Sequence, residues 1–200
     1  LYLPLKLRKD LSIGQAGQSL DGRIATESGH SHYVTGPQDI TRLHRLRALV
    51  DAVIVGAGTV TADNPRLTVR NVEGTNPVRV VLDPDGRLDR KLQVFSDKST
   101  RTIEIRRYDV NLSHNTQEDN PNIIKLPCGD NGFDPKQVIE VLRTHGFRRV
   151  LIEGGGITLS RFLQAGALDR LHVTVAPILI GSGRSAFQLQ PIKSLKAALR

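Results

Sequence analysis

Three successive glycines, Gly154, Gly155 and Gly156, follow an apolar run that ends in Glu153 and precede a helical pattern carrying Leu159, Phe162 and Leu163. A tight turn needs one glycine and every further one costs chain entropy, so the triplet points to backbone that must approach a ligand closely. The N–H groups opening the next helix are unpaired and positively polarised, which suits an anion. A second strand-to-helix turn, VGAGTV with a helix opening at Thr59, offers the same chemistry and leads to Asp63. It follows the dinucleotide fingerprint only in outline, with Asp83 as the acidic residue expected about 20 positions on. Thr61 stands where the third glycine belongs, and Pro65 stops the helix too early for a Rossmann crossover. Arg87, just past the strand end in VVLDPDGRL, stands where ligands of open α/β sheets bind, and its planar fork suits a phosphate. A plain Pro-Gly turn with a solvated Arg explains that segment equally well. In SLDGRIATESGHSHYVTG, residues 19–36, Asp21-Gly22 reads as a hairpin turn. His30 and His32 have only Glu27 near them, so no metal site is expected.

The elements that must position these residues are readable from about residue 50 onward. Pro37 to Val50 carries Ile40, Leu43, Leu46 and Leu49 or Val50 at helical spacing. Strands are expected at Asp51–Gly56, Val78–Asp83, Arg149–Glu153 and Leu171–Ala176. Asp134 and Pro135 open a helix through Val138, Val141 and Leu142 that Gly146 closes, and a short helix ends near Gly166. This alternation implies a single α/β domain over residues 1–200 with a mostly parallel central sheet flanked by helices. From Arg87 to Pro121 the pattern is polar, with a weak strand at 101–105 and a loop around SHNTQEDN.

Composition narrows the function classes. One cysteine, Cys128, excludes an internal disulfide and a multi-cysteine zinc site. The net charge of +8 invites a nucleic-acid reading, but only 4% of the residues are aromatic, none is Trp, and the basic residues are scattered. No apolar stretch reaches the roughly 18 residues of a membrane span, and the N-terminus lacks a signal-peptide core. A cytoplasmic protein is expected. The absence of methionine, even at position 1, points to a truncated chain or to modified residues and not to an intact translation product.

Taken together, SLDGRIA, the VIVGAGTVTADNPRLT run, RVVLDPDGRL, EGGG and APILIG resemble the reductase domain of riboflavin-biosynthesis proteins across about residues 17–190. The resemblance implies a dihydrofolate-reductase-like fold, a homodimer, NADPH as hydride donor, and reduction of the ribosyl group of a phosphoribosylamino-pyrimidine to ribityl. By motif, Ser31, Arg47, Asp63, Leu67, Arg70 and Glu153 would meet the substrate, with Arg47 and Arg70 near its phosphate and Asp63 and Glu153 as the catalytic carboxylates. Tyr33, Thr59, Asp63, Gly155 and Gly156 would line the cofactor, Tyr33 replacing a Trp of some relatives. Pro84 stands where some relatives have a small hydroxyl residue beside the 2′-phosphate, which throws weight on Arg87. Neither the H-x-E nor the P-C-x-x-C motif of the deaminase domain found upstream in many relatives occurs, so reduction alone is expected. Relatives also continue past the equivalent of Arg200, so a closing strand is expected to be missing. Two other readings remain: a reductase of another pyrimidine or pterin, whose lack of phosphate would leave Arg47 and Arg70 unpaired, and a basic nucleic-acid-binding module.

Overall fold

The computed structural model describes residues 2–31, 34–108 and 120–199. The strands are β1 (Leu11–Ser19), β2 (Arg23–Thr26), β3 (Ala52–Gly56), β4 (Val78–Leu82), β5 (Thr102–Arg107), β6 (Ile123–Leu126), β7 (Cys128–Gly129), β8 (Gly132–Phe133), β9 (Arg149–Glu153), β10 (Arg170–Ala176) and β11 (Gly183–Ser185). The helices are α1 (Leu3–Leu7), α2 (Pro37–Arg47), α3 (Ala57–Asp63), α4 (Gln93–Ser96), α5 (Pro135–Thr144) and α6 (Gly156–Gln164). Seven strands form one parallel sheet in the order β10-β1-β9-β3-β4-β5-β6.

The continuous apolar runs follow from this layering, because successive side chains of a strand point to opposite faces and both faces are covered. Ile54, Val80, Ile103 and Ile152 pack under Val138 and Leu142 of α5 and Leu159 and Phe162 of α6. Val53, Val55, Val81 and Leu151 pack on the other face with Leu5 of α1, Leu46 of α2 and Val60 of α3. Asp134 caps α5 by accepting from the Lys136 N–H at 2.9 Å, and Gly146 adopts the left-handed φ of +87° that its closing turn needs.

Two expectations are corrected. The alternation of strands begins well before residue 50, because β1 lies inside the sheet between β9 and β10. Its sequence LSIGQAGQS hides this, since the buried Ser12 and Gln15 are satisfied by distant partners and interrupt any apolar run. The Ser12 hydroxyl donates to the Ala167 carbonyl at 2.7 Å, and Gln15 Oε1 accepts from Arg42 at 2.6 Å. The segment around Asp21-Gly22 is a turn but not a hairpin, for β2 pairs antiparallel with β11 and not with β1. Two boundaries also shift: helix α2 stops at Arg47 and β5 runs on to Arg107, whereas β10 ends at Ala176 as expected. Most of the SHNTQEDN loop lies outside the described residues.

Candidate functional site

The carboxyl ends of β1, β9, β3 and β4 open into one cleft of about 840 Å³, within the range of small-molecule sites. Ser31, Arg47, Thr59, Asp63, Leu67, Arg87, Glu153, Gly155 and Gly156 all line it. Arg70 does not; it borders a neighbouring notch with Arg66, Asp97 and Ser99. Tyr33, like His32, lies outside the described residues. Among the described residues, no group of three or more His, Cys, Asp or Glu side chains could hold a metal ion.

At the centre is a buried bidentate ion pair between helix α2 and strand β9. Arg47 Nε donates to Glu153 Oε1 at 2.7 Å and Nη2 to Oε2 at 2.6 Å, while Nη1 donates to the Thr68 carbonyl at 3.1 Å. Burial works against the Arg47 charge, but the Glu153 carboxylate outweighs it and raises the pKa above its ordinary value. Arg47 is therefore held in place by the protein itself, with donors on its terminal nitrogens left for a ligand. Arg70 Nη1 donates to the Thr68 hydroxyl at 2.6 Å, so the two guanidiniums meet the same threonine from different sides.

The loop from Asn64 to Arg70 is pinned throughout. The Val69 N–H donates to Asn76 Oδ1 at 2.7 Å and the Arg70 N–H to His44 Nδ1 at 2.9 Å. His44 is buried and neutral, its pKa pushed down to about 4 by burial and by the Arg47 and Arg70 cations. Within this loop Leu67 takes a φ of +56° although only 3% of it is exposed. A left-handed conformation costs a branched residue roughly 1–2 kcal/mol, and it persists here because its neighbours are fixed on both sides.

The glycine triplet is squeezed by the protein's own atoms. A Cβ at Gly154 would lie 2.8 Å from Thr158 Cβ, one at Gly155 3.1 Å from Thr59 Oγ1, and one at Gly156 2.6 Å from the Ser185 carbonyl oxygen of β11. The Gly155 N–H donates to Thr59 Oγ1 at 2.9 Å, so Thr59 holds the turn. Asp63 behaves differently: its carboxylate is exposed and makes no hydrogen bond to any described residue, and Asn64 takes the left-handed position that ends α3. Asp83 is fully buried, accepts from the Leu88 N–H at 3.0 Å, and shapes the turn that carries Arg87 without lining the cleft.

Gln15, Asp39, Arg161 and Arg184 also line the cleft and had no sequence signal of their own. Gln15 and Asp39 are joined by Arg42, which donates to both. Arg161 was reachable by periodicity, since it lies one helical turn beyond Ile157 in the helix that the triplet opens.

The sheet and its cleft define an α/β protein of dihydrofolate-reductase-like fold, with the ligand site at the carboxyl ends of parallel strands. Residues 13–200 match the RibD C-terminal domain family, and the chain belongs to it. It is 35% identical over 177 residues, 87% of this chain and 80% of the relative, to the 2,5-diamino-6-ribosylamino-4(3H)-pyrimidinone 5′-phosphate reductase of Methanothermobacter thermautotrophicus. It is 33% identical over 184 residues to the riboflavin biosynthesis protein RibD of Aquifex aeolicus, covering 92% of this chain and 50% of that one. Acinetobacter baumannii RibD superposes with a TM-score of 0.77 at 29% identity, over 96% of this chain and 52% of that one. The chain thus spans about half the length of the RibD proteins it matches.

Proposed function

We propose that this chain is a reductase of riboflavin biosynthesis that uses NADPH to convert the ribosyl group of a phosphoribosylamino-pyrimidine into ribityl. The observation that carries this reading is a single cleft lined by an unpaired carboxylate, Asp63, by an arginine-fixed one, Glu153, and by the glycine turn that follows Glu153, in a chain of this family. The relatives named as reductases of a ribosylamino-pyrimidinone 5′-phosphate support the substrate class.

The lining fits a dinucleotide. Gly155 and Gly156 bring bare backbone to the cleft at the amino end of α6, Thr59 fixes that turn, Asp63 stands beside it, and Arg87 offers an unpaired cation beyond β4. A bound nicotinamide cofactor would supply hydride at this site. On the substrate side, Arg47 would meet the phosphate, with Ser31 and the backbone at Leu67 completing the contacts, while Arg70 stands outside the cleft. Glu153, its two oxygens already oriented by Arg47, would accept from sugar hydroxyls.

A closed ribosylamine offers no acceptor. Its ring must open so that the first sugar carbon is doubly bonded to nitrogen and the ring oxygen leaves as a hydroxyl; hydride then adds to that carbon while the nitrogen takes a proton. Asp63 is the carboxylate free to move that proton. Leu67 and Leu82 are apolar parts of the lining that would help to shield the reactive double bond from water once both ligands are bound.

The test is an absorbance assay of NADPH oxidation with the deaminated and undeaminated phosphoribosylamino-pyrimidines side by side. Oxidation is expected only when one of them is present, and faster than with NADH. No oxidation with either substrate removes the reading; equal rates with a substrate lacking the phosphate would favour a reductase of another pyrimidine or pterin.

A further inference from the structure

Four arginines line the cleft, and their bonding divides them. The Arg47 side chain is committed to Glu153 and Thr68, whereas the side chains of Arg87, Arg161 and Arg184 make no hydrogen bond or ion pair with any described residue. Arg161 projects from α6 onto the backbone of Gly132, which takes a φ of +89°. A Cβ there would collide with Arg161 Nη1, so the missing side chain makes room for the guanidinium inside the cleft. Beside it lie the rings of Phe133 and Pro135, and Leu82, Pro84 and Arg87 come from the end of β4. Leu82 and Phe133 belong to the same apolar cluster, which ties this region together. An apolar lining with two unpaired guanidinium side chains suits a heteroaromatic base carrying phosphate.

The sheet order adds the direction. Glu153 ends β9, and β4 lies two strands away across β3, so the Arg87 end of the cleft is about 10 Å from the Glu153 end at the usual strand spacing. A dinucleotide with its reactive ring between Asp63 and Glu153, passing over the glycine turn, delivers its other half to this region.

We propose that Arg161, together with Arg87, binds the phosphates on the adenosine half of the nicotinamide cofactor. The assignment rests on the reading of the chain as a nicotinamide-dependent reductase. It places the contact on a residue outside the glycine turn and the motifs that mark the site in sequence.

The experiment is titration calorimetry of the full chain with 2′,5′-ADP and with 5′-AMP, for the parent, Arg161→Ala and Arg161→Lys. Loss of a charge-assisted contact predicts about tenfold weaker binding of 2′,5′-ADP by the alanine variant, with lysine intermediate. The melting temperature should not move, because the Arg161 side chain holds no hydrogen-bonding partner among the described residues. Weakening confined to 2′,5′-ADP assigns the contact to the 2′-phosphate, and weakening of both nucleotides assigns it to the 5′-phosphate; either supports the proposal. If Arg161→Ala binds 2′,5′-ADP as tightly as the parent, the assignment is overturned while the function stands. A parent that binds neither nucleotide overturns the functional reading and this assignment with it.

Discussion

Arg47 and Glu153 serve stability and the ligand site through one contact, and substitution can separate the two roles. Removing Arg47 alone strands a carboxylate that is only 10% exposed, and such losses cost about 3–5 kcal/mol. Replacing both by methionine should restore much of the melting temperature while leaving activity abolished, because apolar pairs substitute well for buried ion pairs but cannot bind a phosphate or a hydroxyl. A double variant as unstable as Arg47→Ala would refute this. His44 makes a pH prediction with a definite sign. Unfolded, it takes up a proton below its ordinary 6.5, but folded only near 4, so between those values the unfolded chain binds more protons. Its stabilisation is complete above pH 6.5 and lost as the pH falls toward 4, by about 3 kcal/mol at most. Urea titrations across this range should show a steeper decline for the parent than for His44→Gln. The Asp63 carboxylate has no partner among the described residues, so Asp63→Asn should leave the melting temperature unchanged and lower kcat by roughly 10²-fold, the range for a positioned acid–base group. A variant that melts several degrees lower at parental kcat would make Asp63 a structural residue. At this scale the motifs exposed most of the cleft lining. They could not show that Arg70 faces a different notch or that Asp83 is sealed under Leu88, because both depend on where a side chain turns within its loop.

The elements were readable where burial leaves a pattern and obscure where polar groups are satisfied at long range. Strands β3, β4 and β9 stand out because both faces are apolar, and α5 because Asp134 and Gly146 bracket it. Strand β1 is as central but contains two glycines, one of them at a position where a Cβ would lie 2.6 Å from Leu159 Cδ1, and polar residues whose partners lie on α2 and the approach to β10. The same closeness governs the contact between α6 and β11. Gly156→Ala places a Cβ against backbone oxygens of Ser185 and Ala186, which cannot swing away as a side chain would. The variant should lose about 1–3 kcal/mol by overpacking. Limited proteolysis should then cut sooner within residues 181–186, whereas unchanged cleavage and melting would show that the ribbon yields freely.

Across the whole molecule, β10 pairs with β1 on one side and with no described strand on the other, and Val173 and Val175 are 39% and 50% exposed. An open apolar edge of this kind is an association hazard unless covered, and we propose that a second copy covers it. Sedimentation should show a dimer at micromolar concentration, and Val175→Lys should shift it to monomer. A parent that sediments as a monomer would remove the proposal. The place of β1 in the sheet has a further effect, on the order in which the molecule is made. Residues 11–19 pair with residues 149–153 and 170–176, and with no described strand in between. At about 5–20 residues per second, the ribosome needs roughly 8–30 s after finishing β1 to deliver its neighbours. Throughout that interval residues 11–19 have neither of their strand partners. The β3-β4-β5-β6 side can assemble as it emerges, and the cleft, which needs both β1 and β9, forms last. Such long-range parallel pairing is slow in any chain, so refolding from denaturant should regain sheet signal before it regains nucleotide binding.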